Sequence, residues 1–104
     1  MINHKLNLPD DVVQYEFWNK IIALPFVRSL YLFGSRARGD AGSKSDIDIA
    51  VNCPGASFEQ WQKVLAIIDN ADTLLSIDVV RYDTLSDSLF KRKIDESKLV
   101  LYEA

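Results

Sequence analysis

From Ser45 to Val51 the chain reads Ser-Asp-Ile-Asp-Ile-Ala-Val. Its alternation of polar and aliphatic residues suits a β-strand, whose successive side chains point to opposite faces, and not a helix. Ile47, Ile49 and Val51 then share one face, while Asp46 and Asp48 share the other. A strand of this kind needs partners. Val27 to Phe33 is a β-branched and aromatic run that ends at Gly34, and it reads as a strand before this one. Leu74 to Arg81 and Lys98 to Tyr102 predict two more strands after it.

The intervening segments have helical spacing. Val13, Phe17, Ile21 and Leu24 recur at four and three residues between Asp10 and Leu24, with Asp10 or Asp11 as cap and Pro25 as stop. Pro54-Gly55 breaks the chain before Ser57 and Gln60, whose spacing forms a capping box. The helix opened there carries Phe58, Trp61, Val64, Leu65 and Ile68. A last helix is predicted over Ser86 to Glu96, with Leu89, Phe90 and Ile94 inward. Trp18 and Trp61 lie in the apolar helical stripes and read as core residues. The expected fold class is therefore α/β (α+β): one mixed sheet flanked by helices, ordered helix, strand, loop or short helix, strand, helix, strand, helix, strand. Asp46 to Arg81 is a βαβ unit, which predicts parallel strands joined by a right-handed crossover. Antiparallel pairing of the first two strands would set Gly34-Ser35 beside Asp46.

Length and composition narrow the function. The 104 residues, 48% hydrophobic and 26% charged, predict a single domain over residues 1–104. Cys53 has no second cysteine to pair with, and no apolar run is long enough to span a bilayer. With no cleavable leader evident, the expected location is the cytoplasm, away from membranes. Twelve Lys plus Arg against fifteen Asp plus Glu give a net charge of -3, which argues against general nucleic-acid binding. Recognition of phosphate must then be local.

One segment supplies it. Gly34 to Ser45 holds three of the four glycines, together with Ser35, Arg36 and Arg38. A glycine directly after a strand lets the backbone approach a ligand, and the following amides with the Ser35 hydroxyl can hold phosphate oxygens. Arg36 and Arg38 add positive charge. Asp46 and Asp48 have Cα atoms roughly 6.6 Å apart on one strand face, so their carboxylates can share cations. Asp78 lies in an otherwise apolar strand, opposite in parity to Ile77 and Val79, and can join them if the strands are adjacent. An all-carboxylate set favours Mg²⁺ over zinc. His4, the lone histidine, reads as a terminal surface residue, and Asp69, Asp72 and Asp83 as loop or helix-end residues.

Gly34-Ser35, ten intervening residues and Asp46-Ile47-Asp48 together resemble the signature of the DNA polymerase β-type nucleotidyltransferase superfamily. Gly-Ser-Arg-Ala-Arg-Gly, then Ser-Asp-Ile-Asp, with Ile77-Asp78-Val79 about thirty residues on, is similar to its smallest branch, the minimal nucleotidyltransferases. The resemblance implies two Mg²⁺ ions bound by Asp46, Asp48 and Asp78, and an ATP triphosphate held by Gly34 and Ser35. It also implies a separately encoded HEPN-domain toxin as partner in a hetero-oligomer, with AMP transferred from ATP to a tyrosine of that toxin. On this reading the chain is an antitoxin and an enzyme. Two alternatives compete with it: an antitoxin that neutralises only by binding, and a nucleotidyltransferase acting on small molecules.

Overall fold

The computed structural model describes residues 15–86 and 88–104. Helix α1 (Phe17–Ile22) leads to strand β1 (Ser29–Phe33), the short helix α2 (Ser35–Arg38) and strand β2 (Ile47–Asn52). Helix α3 (Phe58–Asp69), strand β3 (Ile77–Arg81), a 3₁₀ turn (Tyr82–Thr84), helix α4 (Leu89–Ser97) and strand β4 (Leu99–Glu103) complete the order. The four strands form one mixed sheet in the order β3-β2-β1-β4. β1 runs antiparallel to β2 and β4, and β2 pairs with β3 in parallel. The expected element order and βαβ pairing are therefore present.

The predicted alternation divides the sheet into two faces. Leu30, Leu32, Ile47, Ile49 and Val51 are fully buried, and they pack with Phe17, Trp18 and Ile21 of α1 and Val64 of α3. Ser57 and Gln60 form the expected capping box at the start of α3. That box satisfies amides which the first helical turn leaves without partners. Trp18 is buried and Trp61 packs against the same core.

On the opposite face the 3₁₀ turn and α4 form a thinner cover. The Tyr82 ring meets Tyr31 edge-on at 5.0 Å, and Phe90 meets Phe33 at 6.0 Å. Lys98 lies over the rings of Tyr31 and Tyr82 at 4.4 and 5.0 Å while its ammonium donates to Asp95 at 2.9 Å. Such a cation between aromatic faces gains ring attraction and an ion pair together. Asp83 also proves structural: it accepts from the Cys53 amide at 2.9 Å and from Arg81 Nε at 3.1 Å, tying the end of β2 to β3.

Several boundaries differ from the sequence expectation. Part of the predicted first helix, including Val13, lies outside the described residues. Leu74 is fully exposed and β3 begins at Ile77, since the segment before it is a turn fixed by the Thr73 hydroxyl on the Leu75 amide. In α4 only Ile94 is buried; Leu89 is 70% exposed and Phe90 45% exposed, correcting the inward placement of both. Both stand in the first turn of α4, where Phe90 meets the Phe33 ring by one edge and leaves the rest of its surface open. Among the described residues no helix is long and apolar enough to cross a membrane.

Candidate active site

Strand register brings the predicted carboxylates together. Asp48 is paired across β2 and β1 with Phe33, the residue before Gly34. It is also paired across β2 and β3 with Asp78. The end of β1, Asp48 and Asp78 therefore form a row across three adjacent strands, on the face opposite the main core.

Gly34 turns the chain from β1 into α2 with φ 75° and ψ -156°, a region essentially confined to glycine. Its missing side chain has a second consequence. A Cβ there would collide with Asp48 Oδ2 and lie 3.2 Å from the carboxylate carbon. The Asp48 carboxylate thus packs directly on the glycine backbone, and Ser35 opens α2 beside it. Gly39, left-handed at φ 83°, closes the single turn of α2, its amide donating to the Ser35 carbonyl at 3.0 Å.

The arginines divide their work. Arg36 is buried, only 6% exposed, and its guanidinium turns back onto its own loop. Nη2 donates to the Ser45 carbonyl at 2.7 Å and to that of Ser43 at 3.4 Å, and Nε donates to Ser45 at 3.2 Å. The loop is closed further by the Gly42 amide on the Ser45 hydroxyl at 2.9 Å. Arg36 thereby fixes the segment that delivers Asp46 and Asp48. Arg38 is exposed and paired with Asp40 at 3.3 Å, yet its charge still favours the ionised form of Asp48.

The electrostatics show how closely the acids are packed. The Asp48 carboxyl is pushed up from 3.8 to about 6. Burial is the largest cause, followed by the Asp78 charge, a hydrogen bond to Asp78 and the charge of Asp46, with Arg38 opposing. Asp46 is exposed and acts on Asp48 through its charge. Among the described residues no three His, Cys, Asp or Glu side chains form a closed metal-binding group as they stand. What is formed is the Asp48–Asp78 pair, with Asp46 one alternation away. Its donors are all carboxylate oxygens, and only the exposed Arg38 charge opposes their mutual repulsion, a fit to a hard divalent cation.

A pH prediction follows. The folded chain binds the Asp48 proton more tightly than the unfolded chain does, so this residue favours folding below pH 4 or so and loses that contribution as pH rises through about 6. In EDTA, Asp48→Asn should gain stability relative to wild type between about pH 4 and 7, by roughly 1 kcal/mol after screening at this open site. Thermal melts of both proteins across that range check it; parallel curves would remove the crowding of acids from the account.

A family profile described as "Polymerase beta, Nucleotidyltransferase" matches residues 18–104. The chain belongs to this family. The nucleotidyltransferase is 31% identical over 72 residues to a Methanocaldococcus jannaschii protein named, provisionally, a protein adenylyltransferase; the match covers 67% of this chain and 72% of that protein. A crystal structure of a toxin-antitoxin with AMP-PNP contains a chain 28% identical, with a TM-score of 0.56, covering 83% of this nucleotidyltransferase and 73% of the matched chain. A tri-AMPylated Shewanella oneidensis HEPN toxin in complex with an MNT antitoxin gives 26% identity and a TM-score of 0.50, over 85% and 71% of the two chains. The mixed sheet with flanking helices is the fold shared with these neighbours.

The sequence did not mark every residue around the site of this nucleotidyltransferase. Phe90 reaches Phe33, the cross-strand partner of Asp48; an aromatic residue near the start of a helix was the only cue. Arg36 was expected to face phosphate, and no local pattern shows that its guanidinium folds back.

Proposed function

We propose that this nucleotidyltransferase moves AMP from ATP to a hydroxyl of a partner protein, with Mg²⁺ as cofactor and a tyrosine of a HEPN-domain toxin as acceptor. On this reading it acts in the cytoplasm as the antitoxin of the pair. The observation that carries the proposal is the register that sets the end of β1, Asp48 and Asp78 in one row, with Gly34 packed against the Asp48 carboxylate. That row puts a phosphate-holding turn against a charge-crowded pair of acids. The family match and the AMP-PNP and AMPylated neighbours support the donor and the class of acceptor.

Each residue then has a defined task. The turn at Gly34 with the Ser35 hydroxyl holds triphosphate oxygens, and Arg38 adds positive charge at the rim. Arg36 contributes through the loop it fixes. Asp46, Asp48 and Asp78 would hold Mg²⁺, and two such ions supply charge neutralisation for the triphosphate and a more acidic acceptor hydroxyl. Asp78 receives the acceptor's proton as the acceptor oxygen attacks the α-phosphorus and pyrophosphate leaves.

The test is an intact-mass measurement of the HEPN-domain protein of the same cell after incubation with this chain, ATP and Mg²⁺. One or more AMP increments are expected, and none with EDTA. Neutralisation of the partner without added mass would overturn transfer in favour of neutralisation by binding alone.

A further inference from the structure

Of the four tyrosines in the chain, Tyr31 and Tyr102 are buried, and Tyr15 stacks on Phe17 at 6.3 Å against the main core. Tyr82 differs. It stands half-buried in the 3₁₀ turn after β3, with its hydroxyl in an exposed cluster formed with the far half of α4 and the residue that follows it. The hydroxyl donates to Asp95 Oδ1 at 2.7 Å. The Lys98 ammonium lies 2.9 Å from the same carboxylate oxygen and 3.5 Å from the phenol oxygen, and the Lys91 ammonium lies 5.4 Å from the centre of the ring. The Asp95 side chain is 40% exposed, so the cluster opens to solvent.

We infer that Tyr82 is itself an AMP acceptor, labelled by a second copy of this nucleotidyltransferase, with Asp95 taking its proton and Lys91 and Lys98 receiving the phosphate. The inference rests on the transfer reading above and puts this chain in the acceptor's place. A hydroxyl becomes a competent nucleophile when a carboxylate within hydrogen-bond reach can accept its proton. Asp95 is at that distance and stays ionised: the bond from Tyr82 holds its carboxyl below the usual carboxylate range, and Lys98 adds to the effect. The same bond, together with burial, pushes the Tyr82 hydroxyl up, so the phenol keeps its proton until attack.

In the step itself the phenol oxygen bonds to the α-phosphorus of ATP, the bond to the bridging oxygen of pyrophosphate breaks, and the proton passes to Asp95. The product is an anionic phosphodiester beside two ammonium groups that can pair with it. The donor site has to come from another copy. Asp78 is near the start of β3 and Tyr82 just past its end, about 13 Å away at the strand rise. Attack needs the reacting atoms at roughly 3–3.5 Å.

The test incubates the chain with ATP and Mg²⁺ in the absence of the HEPN-domain protein, followed by intact mass and peptide mapping. One AMP increment on Tyr82 is expected. The Asp46→Asn, Asp48→Asn double variant should be labelled by added wild type and not by itself. Tyr82→Phe keeps the ring contacts and should lose the increment while still transferring AMP to the HEPN-domain protein at the wild-type rate. Asp95→Asn should slow self-labelling about a hundredfold, again with transfer to the HEPN-domain protein unchanged. An increment on another residue, label confined to the wild-type chains of the mixture, or no increment while the HEPN-domain protein is labelled would each overturn the inference and leave the functional reading intact. No label on either protein would overturn both.

Discussion

An Asp46→Asn, Asp48→Asn double variant is expected to lose AMP transfer by about three orders of magnitude, the scale on which preorganised charge stabilisation acts, while melting no lower than the wild type. The two halves of this result have different causes. Asparagine keeps the size of aspartate and leaves Ile47, Ile49 and Val51 on the buried face, so β2 and its pairing with β1 and β3 survive. Lost are the negative charges that would hold the cofactor against the Gly34 turn. Those charges carry a folding cost, since Asp48 is partly buried and crowded by Asp78, which together push its carboxyl up to about 6. Relief of that cost raises stability at neutral pH as activity falls, the trade expected where a site is built for chemistry. Initial rates of label transfer at saturating ATP, with urea unfolding of the same samples, check both halves. A variant that lost both would indicate a structural role for the acids, and one that retained full transfer would remove them from the reaction.

The legible and the illegible parts of this chain separate along physical lines. Asp48 was legible because a two-residue alternation fixes its face and a single buried face fixes the register. Once β2 pairs antiparallel with β1 and parallel with β3, Asp48 has to meet both the end of β1 and Asp78. Arg36 was not legible in the same way. Its charge suggests phosphate, but its partners are the backbone carbonyls of Ser43 and Ser45, set by a loop path that no side-chain pattern encodes. Leu89 and Phe90 show the converse failure. Consecutive residues point about 100° apart on a helix, so the apolar pattern alone does not show which of them meets the sheet: Phe90 turns onto Phe33 while Leu89 stays 70% exposed.

Gly34→Ala is expected to destabilise the fold by roughly 2–6 kcal/mol and to remove most transfer activity. One part is backbone strain: φ 75° with ψ -156° lies in a region that costs non-glycine residues about 1–3 kcal/mol. The other is steric, because the new methyl occupies the place of Asp48 Oδ2, and insertion into a filled site costs about 1–3 kcal/mol more. In a domain of this size the melting temperature should fall by more than about 10 °C. Gly39→Ala separates the two contributions. Gly39 also has positive φ, 83°, but a Cβ there meets nothing within 4 Å, so that variant should lose only about 1 kcal/mol and keep its transfer rate. A double-mutant cycle completes the test: adding Asp48→Ala to Gly34→Ala removes the collision and should recover the steric part of the lost stability, giving a coupling of about 1 kcal/mol or more. Activity should not return, since Asp48 itself is gone. Simple additivity of the two substitutions would mean that the glycine is needed for its backbone angles alone and that the acid does not press on it.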